Sequence, residues 1–266
     1  MTAKAKANAP KYRTLTSCQS TGRIGQSILK QGLMSWLSFA SVPFRAIDAD
    51  AEHLTLSRWY PAEAVGRPYR TEDDLLPILN EAPDAPVRLI DFPSQQTQSI
   101  LAAFEHFNAL KLFRDQETRL TVFVFASNER PAMNSAHQIM SAFGEEADYV
   151  MVRNPARFSS EIFEASIVGD MLKRLGAPTI EIPRITPATL AILDRASRQN
   201  KKALTLWEAE PFLEIGSRYE LEHWRNRLFA QFEDVAQWLL PDPALIKAKV
   251  QRPKPKKLVA VDPYDL

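Results

Sequence analysis

From Tyr12 to Ile182, short β-prone apolar runs alternate with longer stretches of helical spacing, and few architectures accommodate that alternation. The strand runs are Tyr12 to Cys18, Val42 to Asp48, Val87 to Asp91, Leu120 to Ala126, Tyr149 to Val152 and Thr179 to Ile182. Between them, Gln26 to Ala40, Gln95 to Phe113, Pro131 to Phe143 and Ser159 to Leu175 read as helices. The second of these carries Ile100, Leu101, Phe104 and Phe107 on one face, and the third opens with a proline suited to a first helical position. Such alternation implies βαβ crossovers: an α/β fold with a mostly parallel sheet and helices on both faces, a three-layer sandwich. Sheets of that kind bind ligands beyond the carboxyl ends of their strands. The informative residues are therefore expected just after each strand.

After the first strand comes Gln19-Ser20-Thr21-Gly22-Arg23-Ile24-Gly25-Gln26-Ser27, running directly into a helix. A phosphate-cradling loop needs small residues so that backbone N–H groups close on an anion, and a helix N-terminus behind them. It also needs a lysine against the phosphate charge and a Ser or Thr for the magnesium ion. Gly22, Gly25 and Ser27 meet these requirements, but Gln26 stands where the lysine would be. The second strand ends in Ile47-Asp48-Ala49-Asp50 and the third in Ile90-Asp91-Phe92-Pro93. Carboxylates at strand ends suit the metal-orienting and water-orienting groups of phosphoryl transfer. Each taken singly also reads as a cap of the following turn or helix.

Thr21-Gly22-Arg23-Ile24-Gly25-Gln26-Ser27 resembles the deviant Walker A loop, Lys-Gly-Gly-Val-Gly-Lys-Ser/Thr, of the ParA/MinD class of P-loop ATPases. Ile47-Asp48-Ala49-Asp50 resembles that family's Ile-Asp-x-Asp, and Leu89-Ile90-Asp91-Phe92-Pro93 its Walker B segment. Val150-Met151-Val152-Arg153-Asn154 resembles its strand ending in a base-facing asparagine. The resemblance runs from about Tyr12 to about Pro183. It implies a site for ATP or ADP with Mg²⁺, with Gly22, Arg23, Ile24, Gly25, Gln26 and Ser27 around the phosphates and Asn154 against the base. It further implies that Ser27 ligates the metal, that Asp48 and Asp91 support the metal shell, and that Asp50, with Asp91, serves catalysis by orienting the attacking water.

The departures are as informative as the matches. The family's signature lysine falls on Thr21, the Walker lysine on Gln26, and the second glycine of the pair on Arg23. Glutamine can donate a hydrogen bond to a phosphate oxygen but carries no charge, and loss of a charge-assisted contact costs on the order of 1.5–3 kcal/mol. Transition-state stabilisation suffers more, because the phosphate charge must be neutralised there. Arg23 either restores the charge by folding over the phosphates or points to solvent. Hydrolysis is expected to be weak or absent, which defines a degenerate loop.

Composition narrows the rest. A formal net charge of +1 marks the whole chain for neither nucleic acid nor membrane. Cys18, the sole cysteine, excludes an intramolecular disulfide and suits a reducing, cytoplasmic setting. The four histidines, His53, His106, His137 and His223, lack metal-ligand spacing, and no run reaches the roughly 18 apolar residues of a membrane span. Residues 1–11 read as a disordered basic arm, 12–250 as one α/β domain and 251–266 as a disordered tail. Ser217 to Leu240 carries Leu221, Trp224, Leu228, Phe232, Val235 and Leu239 at helical spacing. It reads as a terminal helix docked on the sheet or, with Phe229 and Trp238, as a partner face. Arg195, Arg198, Lys201 and Lys202 cluster near one helix end, either as a solvated face or, with the tails, as non-specific DNA contacts. No basic amphipathic helix of the membrane-anchoring kind is evident at the C-terminal end. The resemblance implies a nucleotide-gated homodimer that positions cargo. In the plasmid-encoded subgroup of StbB-, VirC1- and TraL-like proteins, this means plasmid stability, partition or conjugative transfer with a DNA-binding partner. The alternatives are a nucleotide-independent scaffold of the same fold, or an active ATPase using Arg23.

Overall fold

The computed structural model describes residues 9–22, 24–157, 159, 161–200, 204, 205 and 207–246. Arg23, Lys201, Lys202 and the tail 251–266 lie outside the described residues, as do residues 1–8 of the arm. Seven strands form one sheet: β1 (Tyr12–Ser17), β2 (Phe44–Asp48), β3 (Ala64–Gly66), β4 (Val87–Asp91), β5 (Thr118–Phe125), β6 (Ala147–Arg153) and β7 (Thr179–Glu181). Their order is β3-β2-β4-β1-β5-β6-β7 and every pairing is parallel. The sheet is doubly wound, the architecture that the alternating pattern implies.

Side-chain alternation along the strands feeds two cores. On β5, Phe123 and Phe125 point to one face while Leu120, Val122 and Val124 point to the other. The first face is covered by α1 (Gln26–Phe39), α10 (Ile215–Asp234) and α11 (Ala236–Leu239). The second is covered by α4 (Thr97–His106), α5 (Ala109–Asp115), α6 (Arg130–Phe143) and α8 (Ile167–Arg174). The terminal helix docks: Leu221, Trp224, Leu228 and Phe232 are buried, and Phe229 packs its ring on Phe39 and Trp207. A Cβ on Gly32 would lie 2.5 Å from Leu228 Cδ2, so this glycine permits the close approach of α1 and α10. Among the described residues, no helix is long and apolar enough to cross a membrane.

Three stretches expected to be single helices are divided. Gln95 to Phe113 breaks at Asn108, whose φ of 50° is left-handed, a conformation asparagine tolerates. Ser159 to Leu175 breaks into α7 (Glu161–Glu164) and α8, because the Ser166 side chain accepts the Gly169 N–H and caps a new helix. Ser217 to Leu240 is interrupted at Val235, between α10 and α11. Between β2 and β4 the chain adds α2 (Thr55–Trp59), the edge strand β3 and α3 (Leu75–Asn80). Residue Lys11, expected within the N-terminal arm, donates its backbone N–H to Glu117 O at 2.9 Å.

Winding positions the site. From β1 the chain leaves through α1 on one face, and from the adjacent β4 it leaves through α4 on the other. The crevice opened by this reversal lies beyond Cys18 and Asp91.

Candidate functional site

A cleft of about 760 Å³ occupies that crevice. Gly22, Gly25, Gln26 and Ser27 of the β1–α1 loop line it, with Asp50 after β2, Asp91 at the end of β4 and Asn154 after β6. Seven of the residues expected at the site thus share one wall-to-wall space. Ile24 and Asp48 are buried behind it, at 1% and 0% exposure.

The loop is held by hydrogen bonds on both flanks. Gln19, fully buried, donates to Phe125 O at 3.1 Å and Ala132 O at 3.2 Å, and accepts from the Phe125 N–H. The Ser20 hydroxyl donates to Thr97 Oγ1 at 2.6 Å, and Thr97 in turn donates to Cys18 O. On the far side, Asn154 Nδ2 donates to Ile24 O at 3.0 Å. The asparagine expected against a base therefore clamps the loop with its amide nitrogen while lining the cleft. Gly25 has φ 109° and is the N-cap of α1. A Cβ there would lie 2.6 Å from Asn154 Nδ2 and 2.9 Å from Ile182 Cδ1. Glycine is required at this position both by dihedral and by space. Because a glycine cap offers no side-chain acceptor, the first-turn N–H groups of α1 are left for the cleft, a ready anion site.

Gln26 does not reach outward as a lysine substitute. Its Oε1 accepts from the Ser17 hydroxyl at 3.1 Å and its Nε2 donates to Gln19 O at 3.4 Å, drawing the ends of the loop together. The missing positive charge reappears one helical turn on. Lys30, 3% exposed, forms an ion pair through Nζ with Asp91 Oδ1. Burial pushes the Asp91 carboxyl above its ordinary range, outweighing the opposing pull of the Lys30 ammonium. Sequence reading missed Lys30. The signal was a lysine four residues beyond Gln26 on the face that carries Leu29, Leu33 and Leu37.

The other two acidic residues are engaged by the chain that follows β2, Asp48 by α2 and Asp50 by the turn before it. Asp48 Oδ2 accepts the Ser57 backbone N–H at 3.0 Å and the Ser57 hydroxyl at 2.9 Å. Asp50 Oδ1 accepts the N–H groups of Glu52 and His53 at 2.9 and 3.2 Å, the capping reading of that residue. Cys18 is buried at the end of β1, and that burial pushes its thiol up to about 12. The carboxylates offer Mg²⁺ little, although the Ser27 hydroxyl expected to ligate it lines the cleft. Asp91 already holds an ammonium, and no three His, Cys, Asp or Glu side chains gather as a metal-ligand group among the described residues. Asp48 Oδ1 is without a hydrogen-bond partner, but it is sealed behind the cleft wall.

Positive charge enters from the opposite flank, through residues that motif reading did not single out. Arg157 follows β6 and Arg184 follows β7, and both are exposed on the cleft wall. Trp224 Nε1 donates to Pro183 O at 2.7 Å, which fixes the turn that presents Arg184. Beyond Ile28, Ile185, Leu190 and Trp224 the cleft adjoins an apolar recess of about 290 Å³. Arg195 and Arg198 lie on α9 (Pro187–Gln199), and Arg198 pairs with Asp194.

Fold and site together define a doubly wound parallel α/β protein with a glycine-bearing loop lining a cleft at its switch point. The chain is similar to the solved MinD cell division protein of Aquifex aeolicus, at 14% identity over 82% of this chain and 97% of that one, with a TM-score of 0.44. It is similar to a ParA family ATPase from Chlorobium tepidum TLS, at 12% identity, 81% and 99% coverage and a TM-score of 0.43. The signal recognition particle receptor FtsY from Elizabethkingia anophelis gives 10% identity, 82% and 66% coverage and a TM-score of 0.46. No protein-family model and no curated protein matches the chain.

Proposed function

We propose that this chain binds a phosphate-bearing nucleotide, ATP or ADP, in the cleft and hydrolyses it slowly or not at all. In this reading it is a nucleotide-gated positioning protein for plasmid stability, partition or conjugative transfer, dimeric and paired with a DNA-binding partner. The observation that carries the binding is the uncapped N-terminus of α1 behind Gly25, opening on a cleft whose far wall presents Arg157 and Arg184. Slow chemistry follows from the loop itself, since Gln26 is bonded inward and Lys30 is committed to Asp91. Asp50, occupied as a cap, is poorly placed to take up an attacking water.

Calorimetry with ATP and ADP on the purified full chain, alongside light scattering, tests the proposal. Micromolar binding with an ATP-dependent dimer is the expected result. Turnover abolished by Asp50→Ala would instead support an active ATPase. Absence of binding at millimolar nucleotide would sink the reading and favour the nucleotide-independent scaffold. The inward hydrogen bonds of Gln26, which close the loop without a ligand, are the observation on that side.

A further inference from the structure

We infer that Lys30 is the resident counter-cation of this site, so that its phosphate ligand binds without a divalent metal ion. The inference rests on the proposed nucleotide reading but makes a separate claim about charge. Asp91 lines the cleft, while Lys30 approaches it from behind, out of the buried face of α1. The pair is enclosed, with side-chain exposures of 3% and 10%. A dication drawn to Asp91 would have to displace that ammonium or sit beside it, and both are unfavourable in a poorly solvated site.

The remaining acidic groups offer no alternative anchor. Asp48 has one oxygen engaged by Ser57 and the other sealed from the cleft, and Asp50 holds two backbone N–H groups. Lys30 neutralises Asp91 where a metal would otherwise do so, and Arg157 and Arg184 on the cleft wall are left to meet the ligand's own charge. A lysine one turn beyond the loop thus holds a fixed cation against Asp91 from within the fold. Ligand oxygens are left to the α1 N-terminus and the two arginines.

Two measurements on the full chain test this. The first is ATP affinity by calorimetry in EDTA and in excess Mg²⁺. The two values are expected to agree within about threefold, and a loss beyond about tenfold in EDTA overturns the inference. The second is binding of Mn²⁺ alone, read by electron paramagnetic resonance. The unmodified chain is expected to bind no Mn²⁺ through Asp91, and Lys30→Gln is expected to gain a Mn²⁺ site that a further Asp91→Asn removes. Mn²⁺ binding by the unmodified chain that Asp91→Asn abolishes overturns the inference, and so does a folded Lys30→Gln that gains none. If Lys30→Gln does not fold, the unmodified chain and Asp91→Asn still decide. Absence of nucleotide binding in both buffers defeats the nucleotide reading instead, and the Mn²⁺ result then decides the role of Lys30 alone.

Discussion

The two edges of the sheet each bury a cation against an aspartate, and they do so differently. At the amino edge, Arg13 on β1 pairs with Asp148 on β6, donates to Thr121 Oγ1 at 3.1 Å and reaches Gln237 O at 2.8 Å. Arg119 donates to the same carboxylate at 2.8 Å. Two guanidinium groups therefore share one acid, and the network ties β1, β5 and β6 to α11. At the carboxyl edge, one ammonium meets one carboxylate beside a cleft, through a single bond. The first arrangement is redundant and holds strands together. The second holds a charge in place beside the cleft, and among the described residues neither partner has a second ion pair.

Removing one partner should expose that difference most. Lys30→Met leaves the Asp91 carboxylate buried without its counter-charge, and a loss of about 3–5 kcal/mol is expected in urea unfolding. Lys30→Met with Asp91→Leu should recover most of it, because no buried charge remains. Arg13→Met leaves Asp148 with Arg119 and with partial access to solvent, so a smaller loss of about 1–3 kcal/mol is expected. Equal losses at the two edges would break the comparison.

A second contrast lies within the loop. Gly25→Ala places a side chain at φ 109° and against Asn154, so it should cost about 1–2 kcal/mol from the backbone alone and weaken the cleft for nucleotide. At Gly22, by contrast, an added Cβ would meet only Ser94 Oγ, at 3.9 Å. Gly22→Ala should therefore change unfolding midpoints by less than about 1 kcal/mol and leave affinity within about threefold. If the two substitutions act alike, the clamp from Asn154 does not set the loop.

What could be read in the sequence, and what could not, divides along the same lines. The central strands, and the gathering of the candidate residues at their ends, were legible, because period-two burial and strand-end placement leave direct traces. The short elements between β2 and β4 were not: three residues of β3 and the five of α2 carry too little pattern to stand out, although β7, equally short at the other edge, was read. Helix breaks at Asn108 and Ser166 depended on local side-chain capping and left-handed backbone, which the apolar spacing crosses without interruption. Lys30 was hidden for another reason. Motif matching asks which residue stands at a given position, and here the charge had moved one turn along α1 to a carboxylate 61 residues away. Asp50 and Asn154 were legible as positions, but their hydrogen bonds to Glu52, His53 and Ile24 only appear once the strands are side by side.

A further effect at the amino edge depends on pH. Burial alone would raise the Asp148 carboxyl, but Arg119 and Arg13 together outweigh it and hold the group below the ordinary carboxylate range. In the unfolded chain the same group titrates near the usual value of about 3.9. Asp148 therefore contributes its stabilisation in full above that value, and loses it as pH falls through its lower folded-state value. Asp148→Asn should lower stability at neutral pH by about 1–3 kcal/mol, since it leaves the buried Arg13 guanidinium without its carboxylate while an amide oxygen can still accept its hydrogen bond. Urea midpoints of the two proteins should converge in the acid limb, once the aspartate is protonated in both states. A gap that persists unchanged into strong acid would mean that hydrogen bonding and packing, rather than charge, hold the amino edge. The contrast with the single Lys30–Asp91 pair would then be one of geometry alone.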